Sequence, residues 1–419
     1  MSSWPWSWAN WTKNFIKNGD ITFEGIGVVF IFMLIFTMIN FWSVKIMTHF
    51  TNLISIFKIL LPTLTIVTLI CSGFHEHNFG TNIHEFMPYG SRSIFEATSV
   101  SGIIMSYDAF QTIINMGGEL KNPRKNIVRG VLISMLITAA IYIMLQVTFI
   151  GAVEPSMLAK VGWHGIDFTS PFADLAILMG INWLVILLYL DAFVSPFGTG
   201  VAFVATASRA LAAMTHTRHL PKWLGRINQK YMIPRYAMAT DLILAVILVS
   251  LFRNWNLLAT VITASTLIAY LTGPVTVMTL RKIRPDLARP FKPRYMPWLA
   301  PIAFVLTSLA IYWSMWPTTI QVILVIALGL PIYFYYEIRY QHSDLKKQLH
   351  NCWWMIGYLI FMSFMSYIGS NGFGGQNWIK YPFDFVVIIV VSLLFYYWGV
   401  KSGRDQLDPY AEHIVQNKK

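Results

Sequence analysis

Apolar residues dominate the chain in long runs separated by short segments rich in Lys, Arg, Pro and Gly. Eleven runs stand out, at roughly 26–43, 52–72, 94–117, 128–152, 178–207, 237–252, 256–280, 296–316, 319–337, 351–370 and 382–400. Most match the ~20 residues that an α-helix needs to cross the hydrocarbon of a bilayer, and 237–252 is the shortest. In lipid only helices and closed barrels satisfy their own backbone. The runs are too long and too uniformly apolar for the alternating strands of a barrel. The pattern predicts an all-α polytopic membrane protein with eleven transmembrane helices.

Composition agrees. Hydrophobic residues make up 56% of the 419, charged residues 12%, and the mean hydropathy is +0.55. Soluble domains carry about 25% charged residues. The net charge of +12 would suit nucleic acid, but its distribution follows the spans. One set of alternate loops holds 24 of the 31 Lys and Arg and the other set holds 6, with Lys58 inside a span. Basic residues gather in cytoplasmic loops. This asymmetry predicts a cytoplasmic carboxyl terminus, an amino terminus outside, and no nucleic-acid partner. The opening "MSSWPWSWANWTKNF" has no basic-then-apolar leader, and its tryptophans suit an interface. The simplest expectation is a chain that starts after an odd number of spans of a larger transporter; a protein that naturally places its amino terminus outside is the other reading. Cys71 and Cys352 lie in or beside apolar runs and imply neither a disulfide nor a metal site. His75, His77 and His84 are irregularly spaced in one loop and predict a solvated segment rather than a metal centre. No phosphate loop, zinc spacing or nucleophile elbow points to an enzyme or a cofactor.

Polar residues at membrane depth are costly, so each is a candidate for function. In "EATSVSGIIMSYDAF" small and polar residues gather mid-span at Ser101, Gly102, Ser106, Tyr107 and Asp108. An interrupted helix that offers backbone to a ligand and a continuous helix with an inward polar face are both open. Lys58, about two turns into its span, is either a snorkelling lysine or a desolvated amine that exchanges a proton. In "YLDAFVSPFGTG" Asp191, Ser195 and Thr199 share a span with Pro196, which removes a backbone donor. That span is expected to kink and to line the inside of the bundle. Glu119, after Gly117 and Gly118, is either a helix end at the interface or a cytoplasmic gate.

Three segments in order, "GGELKNPRKNIVRGV", "ASRALAAMTHTRHLPKWLGRIN" and "LRKIRPDLARPFKPRYMPW", resemble loops of the amino acid–polyamine–organocation transporters. Two extra carboxyl-terminal spans make the chain similar to a fourteen-span branch that includes aspartate–proton symporters. The resemblance implies an inverted-repeat, leucine-transporter-type fold whose substrate lies between broken first and sixth helices. It aligns the eleven spans with spans four to fourteen, so the first three would be missing. Residues 1–72 would then hold spans four and five, 94–280 the complete second repeat, 296–400 four further helices, and 401–419 a cytoplasmic tail.

The same resemblance places Ser106, Tyr107, Asp108 and Ala109, followed by Gln111, on the broken region that lines the substrate site. Relatives often carry Gly-Phe where this chain has Ala109-Phe110, which leaves the shape of the site open. Lys58 matches a lysine that in some proton-coupled members stands in for sodium. Ser195 and Thr199 fall near the ion ligands of sodium-coupled relatives. The function implied is a secondary amino acid transporter of the cell membrane, coupled to protons, with aspartate or glutamate as substrate. The other reading is a transport-incompetent fragment, or one half of a split transporter whose missing helices come from a separate chain.

Overall fold

The computed structural model describes residues 12–403, apart from 43, 101–102, 109, 116, 118–119, 121, 217–219, 232, 287–288, 290 and 341–344. The amino-terminal tryptophans at 4, 6, 8 and 11, the tail from 404, Ser101, Gly102, Ala109, Gly118 and Glu119 therefore lie outside the described residues. A short hairpin, β1 (Ile16–Lys17) and β2 (Asp20–Ile21), comes first. Its turn is Asn18-Gly19 with φ of 53° and 84°, the left-handed pair that a two-residue hairpin demands.

Helices follow: α1 (Phe23–Trp42), α2 (Val44–Ser72), α3 (Ile83–Phe86), α4 (Gly90–Val100), α5 (Ile103–Ser106), α6 (Phe110–Asn115), α7 (Pro123–Ala152), α8 (Pro155–Val161) and α9 (Pro171–Leu178). After them come α10 (Asn182–His216), α11 (Arg235–Leu251), α12 (Trp255–Ile283), α13 (Met296–Tyr312), α14 (Thr318–Ala327), α15 (Leu330–Tyr340), α16 (Leu345–Ile368) and α17 (Phe383–Ser402). Among the described residues, each predicted run contains helix. Among the described residues, seven helical stretches are long and apolar enough to cross a membrane. Of the other four runs, 237–252 and 296–316 correspond to the 17-residue α11 and α13, and 351–370 to α16. In the run 94–117 the described residues include α4, α5 and α6, with a turn at Tyr107 and Asp108. Helix α10 is continuous through Pro196.

The chain forms two compact units. The first comprises Met1–Gly90, Ala109–Ala213 and Lys222–Asn254. In it α2 packs on α7, and α1 packs on α2 and α11. Its core joins Leu61 and Leu69 of α2 to Ala152, Val153, Leu175, Ala176 and Leu184. Helices in lipid are drawn together by close packing rather than by water. Two glycines of α10 allow this: a Cβ at Gly198 would lie 2.7 Å from Ile54 of α2, and one at Gly200 would lie 2.4 Å from the Phe36 ring of α1. Asn40 then bridges α1 and α10, its amide donating to the carbonyls of Phe36 and Val201.

The second unit comprises Ser91–Asp108, Met214–Pro221 and Trp255–Lys419. Here α12 packs on α13, and α17 packs on α12, α13 and α16. Phe304, Leu271, Tyr312, Tyr358, Met362 and Ile388 are buried at its centre. Several of its buried hydroxyls are paired, whereas Ser370 Oγ and Thr279 Oγ1 are buried without a hydrogen-bond partner. Tyr358 donates to Ser308 and lies 2.7 Å from Ser392 Oγ, while Tyr312 donates to Asp384 Oδ2 at 2.7 Å. Unpaired polar groups in such a core would each cost several kcal/mol in lipid.

Candidate functional site

Two clusters of polar side chains at membrane depth emerge, one in each unit. The first is built on a single face of α10. Asp191, Ser195 and Thr199 are spaced four residues apart and so lie one above another. Gly198, beside Thr199, lets α2 come close enough for Lys58 to reach it. Lys58 Nζ donates to Thr199 Oγ1 at 2.5 Å, across 141 residues of sequence. The Thr199 hydroxyl spends its own proton on the Ser195 carbonyl at 3.0 Å. That leaves the Thr199 oxygen free to act as an acceptor for the ammonium. Asp191 Oδ1 is buried without a hydrogen-bond partner, and its carboxylate lies within electrostatic range of the Lys58 ammonium. The cluster is a half-buried amine on a hydroxyl, with a carboxylate further along the same face of α10.

The second cluster lies at the interruption between α5 and α6. Helix α5 closes at Ser106, whose hydroxyl donates back to the Ile103 carbonyl at 2.6 Å. Tyr107 and Asp108 form a turn, their amides donating to Ile104 and Met105. Of the two readings of this run, the structure has the interrupted one. Asp108 is held from α12. Thr266 donates to its Oδ2 at 3.1 Å and Tyr270 to its Oδ1 at 2.6 Å. Thr266 and Tyr270 are four residues apart and share one face of α12, so one helix face meets both carboxylate oxygens. Gln111 sits half-buried in the first turn of α6.

Sequence reading missed Thr266 and Tyr270. The available signal was a polar pair at helical spacing in the run 256–280. Hydroxyl residues are common in transmembrane helices, so the pair did not stand out until Asp108 was seen against it. The sequence-predicted residues Lys58, Asp191, Ser195 and Thr199 do come together. Ser106, Tyr107 and Asp108 share the turn at the helix break.

A profile of the amino acid permease family matches residues 5–324. The chain belongs to the amino acid permease family. It is a multi-pass membrane transporter, not an enzyme. Among its relatives is the glutamate/serine transporter AimA of Bacillus subtilis, 46% identical over 403 residues, which are 96% of this chain and 74% of that protein. The aspartate-proton symporter of the same organism is 33% identical over 393 residues, 93% of this chain and 75% of the symporter. The branched-chain amino acid permease BcaP, also of Bacillus subtilis, is 24% identical over 318 residues, 76% of this chain and 65% of that permease. In this permease α16 and α17 lie beyond the part that the family profile matches.

Proposed function

We propose that this permease carries glutamate, aspartate and serine across the cell membrane, coupled to protons, with substrate bound at the break between α5 and α6. The observation that carries the reading is the interruption itself. It takes Tyr107 and Asp108 out of a regular helical ladder, in a span where lipid supplies no partners. The relatives that transport glutamate, serine and aspartate support the choice of substrates. An acidic substrate would be repelled by a bare Asp108. The hydroxyls of Thr266 and Tyr270 offset part of that charge and turn the carboxylate toward α12.

In this proposal Lys58 is the proton site. Protonated, it ties α2 to α10 through Thr199; deprotonated, it releases that tie, and the two helices become free to shift. Asp191 and Ser195 belong to the same ion-site-like face, Gln111 lines the substrate site, and Glu119 is the gate residue at the cytoplasmic end. The chain follows the repeat register described above, with residues 94–280 forming one five-helix repeat. The loop charges support an amino terminus outside and a carboxyl terminus in the cytoplasm.

The test is reconstitution into vesicles with an imposed proton gradient and labelled glutamate, aspartate, serine and leucine. The expected result is saturable uptake of the first three, driven by the gradient and lost in Lys58→Ala. Uptake that ignores the gradient sinks the proton role. The second reading, that the chain works only with helices from a separate chain, is refuted by robust uptake from this chain alone.

A further inference from the structure

The part of the interrupted helix that precedes the break is held by chain beyond residue 324, where the family match ends. Arg92 of α4 lies flat against Gly372. A Cβ built at Gly372 would sit 1.7 Å from Arg92 Nε, so the guanidinium occupies the space that any side chain at 372 would need. One residue earlier, Ser91 Oγ lies 3.1 Å from the Tyr381 hydroxyl. One turn on, Phe95 stacks on Trp313 with centroids 4.9 Å apart and planes at 25°. It also meets the Phe385 ring edge-on at 5.3 Å. Ile104 of α5 packs on the same core. At the break, Asp108 is tied to α12, which itself packs on α13 and α17. Residues 91–108 belong to the same compact unit as these helices.

A continuous helix needs no such support, because its own hydrogen bonds align its two ends. A helix interrupted at Tyr107 and Asp108 lacks that ladder at the break. The direction of the part before the break is then set by what its side chains touch. Those contacts include Gly372, Tyr381 and Phe385 beside Trp313 and α12, none of which is near the turn in sequence.

We infer that the segment 369–385 is a positioning element for the substrate site: through Arg92, Ser91 and Phe95 it fixes α4, and with α12 it sets where Ser106 to Asp108 stand. The inference rests on the proposal that residues 106–108 line that site. Gly372, Tyr381 and Phe385 touch no substrate and act through α4. Gly372 is required because a larger residue evicts the guanidinium, a flexible group that can leave without unfolding the loop.

The test uses the full chain in lipid, with Cys71→Ser and Cys352→Ser, and a thiol probe on Ser106→Cys. Gly372→Ala is expected to change the labelling rate of that thiol by roughly three- to thirtyfold, the range over which networks of packed residues tune distant sites. With Ser106 intact, the same change is expected to raise KM for glutamate by a similar factor, with kcat little altered. In an Arg92→Ala background Gly372→Ala should add nothing, because the group it displaces is gone. Tyr381→Phe and Phe385→Leu serve as milder variants if Gly372→Ala lowers the melting temperature in detergent. Unchanged labelling in all three variants overturns the inference, and so do additive effects of Arg92→Ala and Gly372→Ala. Labelling needs no transport, so a chain that carries no substrate still decides the positioning role, while absent uptake counts only against the proposed function.

Discussion

Thr199→Val isolates the bond between α2 and α10. Valine keeps the branched shape of threonine, so the close approach of Ile54 and Phe36 to the neighbouring glycines is undisturbed. What is lost is the oxygen that accepts the Lys58 ammonium at 2.5 Å. A hydrogen bond to a charged group contributes about 1.5–3 kcal/mol. Lys58 and Thr199 are both only half-buried, so water replaces part of the bond and the lower end applies, about 1–1.5 kcal/mol. That corresponds to roughly a five- to tenfold change in the population of the tied arrangement. Gradient-driven uptake of labelled glutamate should fall by about that factor. Thr199→Ser, which restores the oxygen, should recover most of it. The melting temperature of the detergent-solubilised protein should drop modestly in the valine variant alone. If Thr199→Val transports at the native rate while Lys58→Ala does not, the bond has no part in coupling and the reasoning fails.

Three further outcomes follow from other contacts. Tyr270→Phe removes the 2.6 Å donor from Asp108, at a cost of about 1–3 kcal/mol for a carboxylate left short of a partner; competition assays should show a larger loss for glutamate than for serine, and equal losses would refute the charge argument. Gly198→Ala places a methyl 2.7 Å from Ile54 Cγ2, and overpacking of this kind costs about 1–3 kcal/mol; thermal unfolding in detergent should register it, and an unchanged midpoint would mean that α2 shifts freely. Glu85, in α3, accepts hydrogen bonds from the Thr81 amide at 2.7 Å and the Thr81 hydroxyl at 2.9 Å. These hold its carboxyl below the ordinary glutamate value of 4.5. A carboxyl depressed by folding adds stability that is complete above its unfolded value and is lost only as the pH falls through the folded one. Hydrogen exchange of the 81–87 amides should therefore stay slow as the pH is lowered to 4.5 and quicken only below it, whereas an onset above 4.5 would contradict the assignment.

Much of the fold was legible because membrane helices satisfy their own backbone, so a span announces itself locally by length and apolarity. Among the described residues, each predicted run contains helix, including the short 237–252. The unusual polarity of Ser106, Tyr107 and Asp108 was legible for a related reason. Such residues are too costly in mid-span to be incidental, and the helix does break there. What remained open was which of two local readings held. Lys58 could equally have snorkelled to the interface, since a lysine two turns deep has the length to do so. Its reach for Thr199 became visible only with α10 alongside, and that approach depends on Gly198, whose value lies in the side chain it lacks.

The order of apolar spans, the asymmetry of basic loops and the polarity of residues 106–108 were determined by the sequence alone, because each depends on the chain's immediate exchange with lipid or water. Tertiary structure decided the partners. Thr266 and Tyr270 meet Asp108 across 158 and 162 residues, and Gly372 receives Arg92 from the far end of the chain. Periodicity and composition describe which face of a helix is polar, but which neighbour that face meets follows from how the helices pack, and packing is a property of the whole bundle.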